Sequence, residues 1–137
     1  MTLKKLKWPN IDLLITFGHL NKMTLIGRQE KIRHLDHLLK SKEAEFLALY
    51  GRSRVGKTFL IREHFKKQLC FELTGLKDGL LKEQLANFHH ELNQRSRKHR
   101  EVPQSWQEAF QQLAEHLKTL RGKGKRVIFL DELPWLA

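Results

Sequence analysis

Apolar positions change their spacing several times along the chain, and each change marks an element. From Gln29 to Lys40, the residues Ile32, Leu35, Leu38 and Leu39 recur at helical spacing. Residues 45–50, EFLALY, form a short apolar run that stops at Gly51, the length and ending of a buried strand. Thr58 to Lys67 predicts a helix with Leu60, Ile61, His64 and Phe65 on or near one face. QLCFEL at 68–73 predicts a second strand, closed by Thr74 and Gly75. Leu81, Leu85, Phe88 and Leu92 step by four, three and four, so residues 79–94 predict an amphipathic helix. A basic polar loop, QRSRKHRE at 94–101, follows and is ended by Pro103. Ser105 and Glu108 then have capping-box spacing, and Trp106, Phe110, Leu113, Leu117 and Leu120 carry the clearest helical stripe. Gly122 and Gly124 punctuate the chain before RVIFLDE, a third strand.

Residues 1–22 show no clear period, and Pro9 breaks them early. They read as a weakly ordered N-terminal extension ahead of a domain that starts at Met23. A short strand or helix covering a sheet edge is the other reading. Beyond them, strands alternate with helices, which predicts an α/β domain with a parallel sheet.

Composition narrows the function classes. The 137 residues suit one domain or part of one. Hydrophobic residues at 40% and charged residues at 30% are ordinary for a globular chain. Cys70 is the sole cysteine, so no intramolecular disulfide forms, and a reduced cytoplasmic compartment fits. The apolar stretch IDLLITFGHL is too short to span a membrane and contains Asp12. Lys4, Lys5 and Lys7 ahead of it imitate a signal peptide, but no small-residue cleavage site follows. The eight histidines have no metal-ligand spacing with acids or cysteines. A formal charge of +11 favours polyanionic partners, whether nucleic acid, nucleotide phosphates or an anionic surface, and a solvated basic exterior is the other reading.

The chemistry concentrates at GRSRVGKT, residues 51–58, a full Gly-x4-Gly-Lys-Thr pattern between a predicted strand and a predicted helix. A loop that wraps a phosphate with inward N–H groups needs torsions that glycine tolerates and an approach that a Cβ blocks. It runs into a helix N-terminus, where unpaired N–H groups favour an anion. The candidate nucleotide-binding positions are therefore Gly51, Arg52, Ser53, Arg54, Val55, Gly56, Lys57, Thr58 and Phe59. Lys57 supplies a mobile positive charge for the terminal phosphates, and Thr58 supplies a hydroxyl ligand for Mg²⁺.

VIFLDELPWLA completes the constellation. The run Val127–Leu130 ends in two acids. Asp131 suits the carboxylate that holds the Mg²⁺ water shell, and Glu132 suits the catalytic base that orients water. Together with Lys57, these residues name a P-loop NTPase that uses Mg²⁺ and has an adjacent catalytic glutamate.

LIGRQEKIRHLDHLL, YGRSRVGKTFLIREHF and VIFLDELPWLA together resemble the prokaryotic AAA+-like, archaeal-type ATPases near the STAND group. The resemblance covers residues 23–137. It implies a three-layer αβα core of the ASCE type. It places Leu25, Ile26, Gly27 and Arg28 on the adenine side of the nucleotide, and ATP over GTP rests on it. The family pattern continues past this point with a sensor strand, further helices and usually a C-terminal domain through which oligomers form. Its next strand normally lies between the P-loop strand and the Asp-Glu strand, and the sequence offers no candidate for it. The expectation is thus an ATPase core truncated after the Asp-Glu strand, with nucleotide binding retained and hydrolysis belonging to the full-length domain. Two other readings stand beside it. One is a basic nucleic-acid-binding module using RSRKHR (95–100) and RGKGKR (121–126). The other is an inactive ATPase fragment.

Overall fold

The computed structural model describes residues 11–18, 28–42, 46–51, 56–122 and 124–136. In chain order the elements are β1 (Ile11–Gly18), α1 (Arg28–Lys40), β2 (Phe46–Gly51), α2 (Lys57–His64), β3 (Leu69–Thr74), α3 (Leu81–Arg95), α4 (Trp106–Thr119) and β4 (Arg126–Asp131). A 3-10 turn, Leu133–Leu136, follows β4. The strands form one sheet in the order β2-β1-β4-β3, and every pair is parallel.

β4 explains why the sheet is covered on both faces. Residues 127–131 are all buried, as expected of a parallel strand between helical layers. Its side chains alternate between two cores. Val127 and Phe129 pack with Leu35 and Leu38 of α1 and Ile61 and Phe65 beside α2. Ile128 and Leu130 pack with Phe71 and Leu73 of β3, Leu85, Phe88 and Leu92 of α3, and Leu113 and Leu117 of α4. The result is the three-layer αβα architecture of a P-loop NTPase. Complete burial of a side chain such as Phe129 contributes on the order of 2–3 kcal/mol.

The helical stripes behave as their spacing predicts, with local exceptions. Leu85, Phe88 and Leu92 are buried, whereas Leu81, in the first turn of α3, is exposed. Glu83 accepts the Leu80 N–H at 2.7 Å and closes that end. On α4 the Ser105 hydroxyl accepts the Glu108 N–H at 3.2 Å, so the predicted N-cap forms. Phe110 remains exposed at the rim and stacks on Trp106. α2 ends at His64, earlier than the predicted Lys67, because Phe65 leaves helical torsions and residues 65–68 turn into β3.

The largest departure from expectation is β1. Ile11–Gly18 is an interior strand, not an extension lying apart from the domain and not a cover on a sheet edge. It pairs with β2 from Leu13↔Phe46 to Gly18↔Gly51, and with β4 from Ile11↔Arg126 to Ile15↔Leu130. The place between the P-loop strand and the Asp-Glu strand, for which no later segment qualifies, is therefore filled from the N-terminal side. The physical reason is that two open parallel edges need a partner ladder, and the apolar run at 11–18 supplies it. Residues 1–10 and 19–22 lie outside the described residues. Among the described residues, no helix is long and apolar enough to cross a membrane.

Candidate functional site

A parallel α/β sheet delivers its functional groups to the carboxyl ends of its strands, and the site here forms at those ends. β2 stops at Gly51, and α2 is entered through Gly56, whose φ of 76° and ψ of 18° are left-handed. That torsion suits glycine and bends the backbone into α2. Gly56 O accepts the Leu60 N–H at 2.9 Å, the first bond of the helix. The N-cap residue, Gly56, has no side chain to bond the leading N–H groups, which carry the positive end of the helix dipole.

Strand alternation brings the acid to this helix. Val127 and Phe129 face the α1–α2 layer, and Asp131 continues on that side. Thr58 Oγ1 donates to Asp131 Oδ2 at 2.9 Å across 73 residues of sequence. Asp131 is 8% exposed, and its Oδ1 accepts the Glu132 N–H at 3.1 Å. A hydroxyl and a buried carboxylate in contact beside an uncapped helix N-terminus are a hard, all-oxygen donor pair. They fit a Mg²⁺ ion that takes its other ligands from phosphate and water. Among the described residues, no three His, Cys, Asp or Glu gather into a protein-only metal cage.

Glu132 leaves the strand in a left-handed conformation, with φ of 52°. For a residue with a Cβ this is uncommon, and such positions concentrate at functional sites. The turn is held from beneath. Gly75 N donates to Asp131 O at 2.9 Å, and a Cβ on Gly75 would lie 2.5 Å from Glu132 O. Only glycine allows β3 to end that close to the acidic turn. Gln84 of α3, 2% exposed, clamps the same region. Its Oε1 accepts the Leu76 N–H at 3.0 Å, and its Nε2 donates to Leu76 O and Trp135 O, each at 2.7 Å.

Arg62 lies one turn beyond Thr58 on α2. Its Nε donates to Glu72 Oε1 at 2.6 Å. That bond raises the guanidinium pKa above its ordinary value; partial burial opposes the shift, while the charges of Glu72 and Asp131 reinforce it. Cys70 is half-buried, its thiol pKa is pushed up chiefly by burial, and its Sγ donates to Gln68 O at 3.2 Å, so it stands as a structural residue.

The structure brings Gly56, Thr58, Asp131 and Glu132 together. Lys57 is the first residue of α2 and Gly51 the last of β2. Phe59 is in the first turn of α2 with 64% of its surface exposed. Arg28 opens α1. Arg52, Ser53, Arg54, Val55, Ile26 and Gly27 lie outside the described residues. Sequence reasoning missed Gly75, Gln84 and Arg62. The glycine at the end of a predicted strand was the only available cue, because the partners of the other two are revealed only by folding.

A family model described as an AAA domain matches residues 39–136, most of the chain. That span runs from the end of α1 through the phosphate-loop pattern to the turn after Glu132. No curated protein and no solved structure shows a significant match.

Proposed function

The chain belongs to the AAA domain family of P-loop ATPases, and from that premise we propose that it binds Mg-ATP between the N-terminus of α2 and the carboxyl end of β4. The observation that carries this reading is the 2.9 Å contact between Thr58 and Asp131. A nucleotide site of this kind needs one hydroxyl and one carboxylate within reach of a single cation, next to amides that bind phosphate.

Each residue then has a task. Gly51 and Gly56 allow the close turns that a phosphate-binding loop needs, and Arg52, Ser53, Arg54 and Val55 are its nucleotide-binding positions. The free N–H groups of α2 and the Lys57 ammonium neutralise the terminal phosphates. Thr58 and, through water, Asp131 would hold Mg²⁺, which would supply positive charge to offset that of the phosphates. Glu132 accepts a proton from, and orients, the attacking water. Ile26, Gly27 and Arg28 border the base, and Phe59 lies at the mouth.

Calorimetric titration with ATP tests the reading. Binding should require Mg²⁺ and be abolished by Lys57→Ala, whereas Glu132→Gln should bind as tightly as wild type while losing any turnover. Equal ATP affinity in wild type and Lys57→Ala would sink the proposal.

A further inference from the structure

We propose that the end of the molecule opposite the nucleotide site is a docking surface for the phosphate backbone of duplex nucleic acid, built from three basic connections that the fold gathers together. The connections that lead into β3 and β4 lie at the amino ends of these parallel strands, and α3, which starts beyond the carboxyl end of β3, runs back so that the α3–α4 connection leaves from the same end. Three segments, FKKQ (65–68), RSRKHR (95–100) and KTLRGKGKR (118–126), carry many Lys and Arg and no Asp or Glu.

Contacts place them at one pole. Val127 N, at the start of β4, donates to Gln68 O at 2.8 Å, joining the first and third segments. Arg126 Nη2 donates to Leu120 O at 2.8 Å within the third. The Arg95 guanidinium lies 5.9 Å from the Phe71 ring centre near the start of β3, tying in the second. Gln112 Nε2 of α4 donates to Glu101 O at 3.1 Å, so the chain leaving the second segment packs on α4. Lys66, Lys67, Arg97, Lys98, Lys118 and Arg121 are all exposed.

The charge is poorly compensated. Arg100 is 7% exposed, yet among the described residues its Nη1 contacts only Ser96 Oγ and Lys98 O, and its Nε has no hydrogen-bond partner. Among the described residues no carboxylate pairs with it, which is costly for a buried cation and favours an external anion. The nearest acids in sequence are Glu63 and Glu72 for the first segment, Glu91 and Glu101 for the second, and Glu115 and Asp131 for the third; Glu72 is already paired with Arg62, and Glu91 with Arg95 at 2.7 Å. The remaining helix-to-strand connection is balanced, with Glu43 and Glu45 beside Lys40 and Lys42.

The pattern fits nucleic acid better than a lipid surface. The large exposed hydrophobics among the described residues are Phe59, Leu76, Leu80, Leu81, Val102 and Phe110, and none belongs to these segments. An anionic membrane site needs apolar side chains to insert. Single-strand binding relies on exposed aromatic platforms, which the three segments also lack. Cations spread over three loops match the backbone of a duplex, read without sequence preference.

The inference is independent of the nucleotide reading, and its test separates the two. The probe is a labelled random-sequence DNA duplex of about 20 base pairs, followed by anisotropy at about 50 mM salt. Wild type should bind, and saturating Mg-ATP should not compete. Lys66→Glu/Lys67→Glu and Arg97→Glu/Lys98→Glu should each weaken binding about tenfold or more and reduce the slope of log K against log salt by about 2. Both variants should keep wild-type melting temperature and ATP affinity. No binding at this salt, competition by Mg-ATP, equal affinity in the charge-reversal variants, or uptake of phosphatidylserine vesicles in place of the duplex would each overturn the proposal.

Discussion

Asp131 shows how much of the site rests on single atoms. One carboxylate oxygen accepts the Thr58 hydroxyl and the other accepts the Glu132 N–H. Asp131→Asn keeps this geometry if its carbonyl faces Glu132 and its NH₂ faces Thr58, whose hydroxyl can accept. Chemical denaturation should then find stability within about 1 kcal/mol of wild type. The charge that attracts Mg²⁺ is gone, so ATP affinity should become nearly insensitive to Mg²⁺ in the same titrations. His116 makes a separate prediction about pH. Burial first, then Arg100 and Arg95, depress its pKa below the ordinary 6.5. The unfolded chain therefore takes up this proton more readily, and stability falls as pH drops below about 6.5 toward the folded-state value. His116→Gln removes that proton site. Its denaturation midpoint should decline less than that of wild type between pH 7 and 5, and parallel profiles would contradict the assignment. Lys57, Thr58, Asp131 and Glu132 are legible in the sequence because loop and strand-end chemistry demand those residue types at those places. Gly75 and Gln84 are not, because Gly75 packs under Glu132 and Gln84 reaches Trp135 O, 51 residues away, and only the folded turn reveals these contacts.

At the scale of elements, burial explains which were readable. β4 is apolar throughout and buried on both faces, so its run stands out. α3 and α4 bury one stripe each and show the 3.6-residue period. β1 has a similarly apolar run, but it is interrupted by Asp12 and preceded by Pro9, and it lacks alternation. An interior parallel strand need not alternate, so periodicity cannot separate it from a short helix or a tail. Its place between β2 and β4 is also non-local information. Gln84 belongs to this scale as well, because one side chain of α3 ties the β3–α3 connection to the turn after β4. Gln84→Met preserves volume and removes the amide, leaving Leu76 N, Leu76 O and Trp135 O short of partners. The expected loss is about 2–3 kcal/mol in denaturant unfolding. Amide exchange should speed up first at 76–79 and 133–136. A loss confined to other elements would show that the clamp has a different role.

For the whole molecule, the position of β1 decides whether the nucleotide site has a continuous sheet beneath it. The phosphate-loop strand β2 and the acid-bearing strand β4 do not pair with each other, and β1 pairs with both. Thr58 and Asp131 are therefore kept in contact partly by a segment from the other end of the chain. Ile15 lies opposite Ala48 on one side and Leu130 on the other. Ile15→Pro removes a backbone donor and adds a ring within an interior ladder, which should cost about 3 kcal/mol or more. Against this, Mg-ATP at a hundredfold excess over its Kd should stabilise the folded state by about 2.7 kcal/mol, or roughly 10 °C in melting temperature for a chain of this size. The two effects are of similar size and opposite sign. Wild type should melt cooperatively and shift upward with Mg-ATP, while Ile15→Pro should melt lower and bind ATP more weakly because the competent state is less populated. If residues 11–18 lay outside the sheet, Ile15→Pro would leave both melting temperature and affinity at their wild-type values, so one substitution measured two ways tests the join between the two strands that form the site.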